Sequence, residues 1–131
     1  MGIAEDLELV RRGYAAFSAG DTATLMNLFR SDAVHSVPGS NPLSGDHKGP
    51  DNILKMYGDL AARSEGTIKV ELEEVLSNGG NLVIAIHTST AQRGGQSLRQ
   101  REALLFTIED GKVVSIQDFF SDIDEQDRFW T

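Results

Sequence analysis

The spacing of apolar residues changes at Gly66, and this change limits the possible folds more than any other feature of the chain. Before Gly66, apolar residues recur every three or four positions, beginning with Ile3, Leu7, Val10, Tyr14 and Phe17. That spacing is typical of amphipathic helices. After Gly66, apolar and polar residues alternate, as in strands with one wet face. The order of helices first and strands second predicts an α+β domain.

Turn and capping residues divide the two halves into elements. The first helix is expected over residues 3–18, the second after Asp21, and the third from Pro50. A loop rich in proline and glycine, 38–49, precedes the third helix. Glycine-containing turns separate later strands over 82–92, 97–109 and 112–121, and a short helix follows Asp122. The pair Glu73-Glu74 interrupts the alternation of the preceding strand and predicts a β-bulge.

Composition narrows the partners that the chain can have. The 131 residues predict one domain, 1–131, with a net charge of −8. Nucleic acids and anionic membrane surfaces bind clustered basic residues, so we expect neither as a partner. The absence of cysteine excludes disulfides and thiolate chemistry. The acidic N-terminus lacks the pattern of a signal peptide, and we expect a cytoplasmic protein.

Short landmarks along nearly the whole chain match one known superfamily. They include Ala19-Gly20-Asp21, Leu28 to Val34, Pro42 to Gly45, Lys48-Gly49, Ile108 to Val113, and Asp122 to Trp130. In this order and spacing, the chain resembles the nuclear transport factor 2-like superfamily, which includes ketosteroid isomerase-like and polyketide cyclase-like (SnoaL-like) proteins. The resemblance implies a cone-shaped α+β barrel, in which three N-terminal helices pack in a strongly curved mixed, mostly antiparallel sheet.

The resemblance also argues against steroid isomerisation. The catalytic base of a ketosteroid isomerase corresponds to Val37, and its protonated aspartic acid corresponds to Leu104. Its catalytic tyrosine falls at Gly13, one residue before Tyr14. Only Tyr57 matches a supporting tyrosine of that site. The fold hosts isomerases, cyclases, dehydratases, hydrolases and plain binders, so the likeness alone selects no reaction.

Strand alternation, matched to the superfamily's hairpins, predicts which side chains face a cavity. It places a titratable set inward on adjacent strands, namely His87, Glu102 and Asp118. Such a set can transfer protons near neutral pH. The other residues expected to line the cavity are Tyr14, Phe17, Phe29, His35, Val37, Tyr57, Ser89, Gln100, Leu104, Ile116 and Phe120. A mostly apolar cavity with a few polar groups is the usual form of a small-molecule site.

Three functions remain open for this cavity. As an enzyme, the protein would act on a compact hydrophobic metabolite, with Asp118 as the general base or acid, His87 as its partner and Glu102 as a second acid. It could instead bind a ligand without turnover. It could also be a dimerisation module, since Ile84, Ile86, Thr88 and Leu105 form an apolar outer sheet face. A homodimer fits all three.

Structural roles compete with each catalytic assignment. Asp118 could be a hydrogen-bonded structural acid, His87 a wall residue, and Glu102 a partner of Arg99 or Arg101. The histidines do not follow a metal-binding spacing, and the glycine pairs 79–80 and 94–95 precede no helix. We therefore expect no metal ion and no cofactor.

Overall fold

A curled six-stranded sheet packs against three helices in the computed structural model, which describes residues 2–131. The elements in chain order are α1 (Ile3–Ala19), α2 (Thr22–Leu28), β1 (Phe29–Val37), β2 (Gly45–Lys48), α3 (Pro50–Arg63), β3 (Lys69–Ser77), β4 (Leu82–Arg93), β5 (Gln96–Glu109), β6 (Lys112–Phe120) and α4 (Ile123–Trp130). The predicted α+β class is confirmed, and the four strands β3 to β6 follow Gly66 as the change of spacing predicts, but β1 and β2 lie before it, between α2 and α3.

The sheet is mixed, with strand order β2-β1-β6-β5-β4-β3. Strands β3 to β6 form an antiparallel meander, and β1 pairs with β6 in parallel. The turns Gly94-Gly95 and Asp110-Gly111 have positive φ at both central residues, which is the geometry that two-residue hairpin loops require. These tight turns set the register of β4 on β5 and of β5 on β6.

Two local predictions have clear outcomes. The register of β3 on β4 shifts between Leu72 and Glu74, which confirms the bulge at the glutamate pair. The loop predicted over 38–49 is instead partly a strand, because Gly45–Lys48 pairs antiparallel with β1. Its sequence, Gly-Asp-His-Lys, carries no alternation. Backbone pairing with β1 and a hydrogen bond from Ser36 Oγ to Asp46 Oδ1 at 2.8 Å hold it on the edge of the sheet.

The C-terminal helix α4 closes one end of the sheet and is anchored at both of its own ends. Asp122 caps its start by accepting a hydrogen bond from the Glu125 amide, as the capping pattern predicts. At its other end, Arg63 donates to the Trp130 carbonyl and Arg93 donates to the Phe129 carbonyl. These two arginines satisfy carbonyl groups that a helix end leaves without intrahelical partners.

Two apolar clusters fill the space between the helices and the sheet. The larger one joins α1, α2 and α3 to the inner face of the sheet around Val10, Ile53 and Val83, all at most 1% exposed. The smaller one seats Phe129 and Trp130 of α4 against Leu43 and Leu98. Within residues 2–131, no helix has both the length and the apolar character needed to cross a membrane.

Asp127 connects α4 to the loop between β1 and β2. Its carboxylate accepts hydrogen bonds from the Ser40 amide at 2.8 Å and from the Asn41 side chain at 2.9 Å. The Ser40 amide, and after it the Asn41 side chain, lower the pKa of Asp127. A carboxyl group whose pKa is lower in the folded state stabilises that state above its unfolded pKa, and this stabilisation is lost as the pH falls through the folded pKa.

We expect Asp127→Asn to lower the free energy of unfolding at pH 7 and to weaken its decline in acid, below about pH 4. Urea unfolding at pH 7 and in acid measures both effects. The control is Asp124→Asn, on the same helix, because Asp124 is exposed and its side chain makes no hydrogen bond within residues 2–131. An acid dependence equal to that of the wild type would contradict this role of Asp127.

Candidate functional site

A cavity lies between the helices and the inner face of the sheet, where the two apolar clusters meet. It encloses about 140 Å³. A cavity of ~150 Å³ with apolar walls holds benzene in another protein, so this space suits a ligand of about one ring. Most of its wall is apolar, from Val10, Phe17, Leu28, Phe29, Val37, Met56, Leu60, Leu98, Leu104, Phe106, Ile116 and Phe120.

The first of two hydrogen-bonded chains on this wall runs from Tyr14 through His87 to Glu102. Tyr14 Oη lies 2.6 Å from His87 Nδ1, and His87 Nε2 lies 2.8 Å from Glu102 Oε1. Glu102 also accepts hydrogen bonds from Ser89 Oγ at 3.0 Å and from Gln126 Nε2 at 2.7 Å. Its carboxylate is therefore surrounded by three donors, and its side chain is only 9% exposed.

The second chain has the same order of side chains on the opposite part of the sheet. Tyr57 Oη lies 2.8 Å from His35 Nδ1, and His35 Nε2 lies 2.7 Å from Asp118 Oδ1. Within residues 2–131, this is the one side-chain hydrogen bond that Asp118 makes, so Oδ2 is left without a protein partner. Asp118 lines the cavity and its side chain is 13% exposed. It is the carboxylate with room for a ligand.

The carboxylates decide where the protons lie along each chain. An ionised carboxylate only accepts, so His87 and His35 each donate from Nε2. In the neutral imidazole, Nδ1 is then an acceptor, and Tyr14 and Tyr57 donate their hydroxyl protons to it. Each chain can take one further proton, which would place a proton on Nδ1 and free the tyrosine proton for a ligand.

Burial and the nearby carboxylates keep both tyrosines protonated. Burial is the largest cause that raises the pKa of Tyr14, followed by the charges of Asp118 and Glu102. Burial and then the charge of Asp118 raise the pKa of Tyr57. The charge of Asp118 therefore acts on the tyrosines of both chains. The two tyrosines can donate and accept hydrogen bonds at neutral pH without ionising.

The pairing predicted for Asp118 and His87 is wrong. The two residues belong to different hydrogen-bonded chains: Asp118 binds His35, and His87 binds Glu102. His87 lies on β4 directly across from Glu102 on β5, whereas Asp118 on β6 lies across from Leu104. The two positions are two residues apart along β5, and β6 also pairs with β1, which places Asp118 near His35.

The alternative partners considered for Glu102 are also excluded. Arg101 alternates to the outer face of β5 and binds Glu73 of β3, with Nη2 to Oε2 at 2.9 Å. Arg99 is exposed on the same outer face. Glu102 instead points inward to side chains that come from β4 and α4.

The predicted wall residues fall into two groups. Gln100 does not line the cavity: it is buried against α4, where its Nε2 donates to the Asp122 carbonyl at 2.9 Å and to Glu125 at 2.6 Å. Its strand runs under α4 at that point, and the helix covers the inner face. The structure places the remaining predicted residues on the wall, namely Tyr14, Phe17, Phe29, His35, Val37, Tyr57, His87, Ser89, Glu102, Leu104, Ile116, Asp118 and Phe120.

Three polar wall residues were missed by the sequence reasoning. Gln126 and Trp130 come from α4, where Trp130 Nε1 donates to Gln126 Oε1 at 2.9 Å. Asn41 comes from the loop after β1. Gln126 and Trp130 are four residues apart, so they lie on one face of α4. This spacing is the sequence signal that could have identified these two wall residues. Within residues 2–131, no three His, Asp or Glu side chains are grouped so as to hold a metal ion.

The chain is similar to both sequence relatives and solved structures. The model of the SnoaL-like domain matches residues 10–116. Uncharacterised proteins of Mycobacterium tuberculosis and Mycobacterium bovis are 43% identical over 125 residues, which cover 95% of this chain and 95% of theirs.

Two solved structures show how far the likeness of the fold extends. Bal32a, from a soil-derived mobile gene cassette, is 38% identical, with a TM-score of 0.95 and 98% of each chain covered. An NTF2-like protein from Burkholderia xenovorans is 20% identical, with a TM-score of 0.85, 100% of this chain covered and 99% of that one. The predicted superfamily is confirmed, and the chain belongs to the SnoaL-like domain family of the NTF2-like fold.

Proposed function

We propose that this protein binds a small, mainly hydrophobic metabolite in the cavity and catalyses proton transfer on it. Asp118 would accept the proton, and His35, held by Tyr57, would orient the carboxylate. One observation carries the assignment: Asp118 keeps a carboxylate oxygen free inside an apolar cavity, whereas Glu102 is bound by three donors. A base must have a lone pair within reach of the substrate.

In the proposed step, Asp118 Oδ2 takes a proton from a substrate C–H or O–H group and becomes a carboxylic acid. It returns the proton to another substrate atom, so the substrate is rearranged without gain or loss of atoms. The first chain, of Tyr14, His87 and Glu102, would contact the opposite end of the ligand through Tyr14. Glu102 would hold His87 in the tautomer that accepts from Tyr14.

Binding without turnover is the second candidate function. It is favoured by the proton arrangement, because both tyrosine protons are directed at histidines when the carboxylates are ionised and the imidazoles neutral. In that state neither tyrosine offers a hydrogen-bond donor to a developing oxyanion. Stabilisation of the oxyanion by such donors is usually a large part of catalysis. Measured turnover distinguishes the two candidates.

Deuterium exchange tests the catalytic proposal. The first probe is 2-hydroxycyclohexanone, a single ring with a hydroxyl donor and an acidic C–H beside a carbonyl. We expect the protein to accelerate exchange of that C–H in D₂O, and Asp118→Asn to slow it by ~10²–10⁴-fold, the usual contribution of a general base. Proton NMR follows the loss of the C–H signal.

The matched variant is Glu102→Gln, which removes the other carboxylate of the cavity. It should lower the exchange rate less than Asp118→Asn does, because Glu102 acts only through His87 and Tyr14. An unchanged rate in Asp118→Asn would refute the assignment of the base. Binding of the probe without accelerated exchange in the wild type would favour the second candidate.

We further propose that two copies of the chain associate through the outer face of the sheet. Leu76, Ile84 and Phe119 are 50%, 41% and 53% exposed. Strand register places Leu76, Ile84 and Leu105 side by side, and Ile86, Ala103 and Phe119 in the next row. A continuous apolar face of this kind is typical of an interface between copies.

Light scattering at micromolar concentration tests the association. We expect twice the chain mass for the wild type and the single chain mass for Ile84→Glu, because the introduced carboxylate would lose its water on burial in the interface. The control Thr22→Glu, an exposed position at the start of α2, should stay dimeric. A wild-type protein with the mass of one chain would refute the proposal.

A further inference from the structure

We infer that the cavity selects uncharged or cationic ligands that donate hydrogen bonds, and that it excludes anions. This deepens the proposed function and rests on the cavity being the ligand site. Two carboxylates, Asp118 and Glu102, line the cavity, and within residues 2–131 no lysine or arginine lines it. While the imidazoles of His35 and His87 are neutral, a third negative charge placed in this apolar space would meet no cation, and an unpaired charge is costly to bury.

The positions of the protons along the two hydrogen-bonded chains of side chains favour the same class of ligand. With both carboxylates ionised and both imidazoles neutral, His35 and His87 donate to carboxylates, and the tyrosines donate to the histidines. What remains for a ligand are lone pairs: those of Asp118 Oδ2 and of the two tyrosine oxygens. A ligand must bring its own donors to use them.

The other polar side chains of the wall have almost no donor to add. Ser89 donates to Glu102, and Trp130 donates to Gln126. Gln126 uses both of its amide protons, on Gln100 at 3.1 Å and on Glu102 at 2.7 Å. Asn41 uses one amide proton on Asp127 and keeps the other.

That single amide proton of Asn41 cannot compensate an anion. It belongs to a neutral amide group. The oxygen of that side-chain amide already accepts a hydrogen bond from the Leu43 backbone N–H. Charged groups need charged or multiple partners when they are buried. The side chains of the wall therefore form a nearly complete set of acceptors, and the charge of Asp118 adds an attraction for ammonium groups.

Four compounds with one benzene ring and one substituted carbon test the inference on the wild-type protein. Benzyl alcohol is a neutral donor, benzylamine a cation, benzaldehyde a neutral acceptor, and benzoate an anion. Dissociation constants at neutral pH and constant ionic strength come from shifts in two-dimensional NMR spectra of the protein. We expect benzyl alcohol and benzylamine to bind most tightly and benzaldehyde more weakly.

Benzoate should bind at least ~10-fold more weakly than benzyl alcohol, the factor that corresponds to the cost of one unfavourable contact with a charged group. Asp118→Asn removes one of the two negative charges. It should lower the ratio of the benzoate dissociation constant to that of benzyl alcohol by ~10-fold. Asp124→Asn, outside the cavity on α4, should leave the gap as in the wild type. A narrowing only in Asp118→Asn assigns the selection to the cavity and not to the net charge of the chain.

Three results would overturn the inference. Benzoate binding within twofold of benzyl alcohol removes the exclusion of anions, while the proposed function still stands. Benzaldehyde binding as tightly as benzyl alcohol removes the requirement for a donor. If none of the four compounds shifts the resonances of cavity residues, the cavity is not a ligand site, and the proposed function falls together with this inference.

Discussion

The structure depends on how the buried carboxylate of Glu102 is satisfied. Taking an ionised carboxylate out of water costs several kcal/mol, and only hydrogen bonds and nearby charge offset that cost. Here the donors are His87 and Ser89 from β4 and Gln126 from α4. The same carboxylate thus ties two strands to the closing helix. Gln126 also accepts a hydrogen bond from Trp130. The Glu102 carboxylate inside the cavity therefore helps to hold α4, the helix that covers it.

The two carboxylates of the cavity differ in how much of their hydrogen-bonding capacity the protein uses. Glu102 has three donors and little left to offer a ligand, whereas Asp118 has one donor and a free oxygen. A carboxylate whose acceptor sites are occupied can only position its neighbours, whereas one with a free oxygen can also contact a ligand. This difference separates residues that look equivalent in the sequence, since both are inward-facing acids on neighbouring strands.

Much of the fold and part of the site could be predicted from the residues because short turns set the register. The hairpin at Gly94-Gly95 places His87 across from Glu102, and alternation puts both inward. The pairing of His35 with Asp118 could not be predicted in this way. Strands β1 and β6 pair in parallel, and His35 and Asp118 are 83 residues apart in the sequence. No turn joins these two strands and sets their register. The donors from α4 required the packing of a helix, which strand alternation does not describe. Strand β2 was missed because it is held by backbone pairing and has no pattern of its own.

The positions that carry catalysis in a ketosteroid isomerase are apolar here, yet acid and base groups lie beside them. Asp118 is directly across from Leu104, the position that corresponds to the isomerase's protonated acid. His35 lies two residues before Val37, which corresponds to its base, and on the same face of β1. Tyr14 follows Gly13, which corresponds to its tyrosine. Each polar group therefore lies beside the corresponding position and not at it, on the wall of the same cavity. A side chain at a neighbouring position extends into the cavity from a different point of the wall. The isomerase's residue roles therefore do not transfer to this chain position by position, and the proposed role of Asp118 rests on its own free oxygen and its bond to His35.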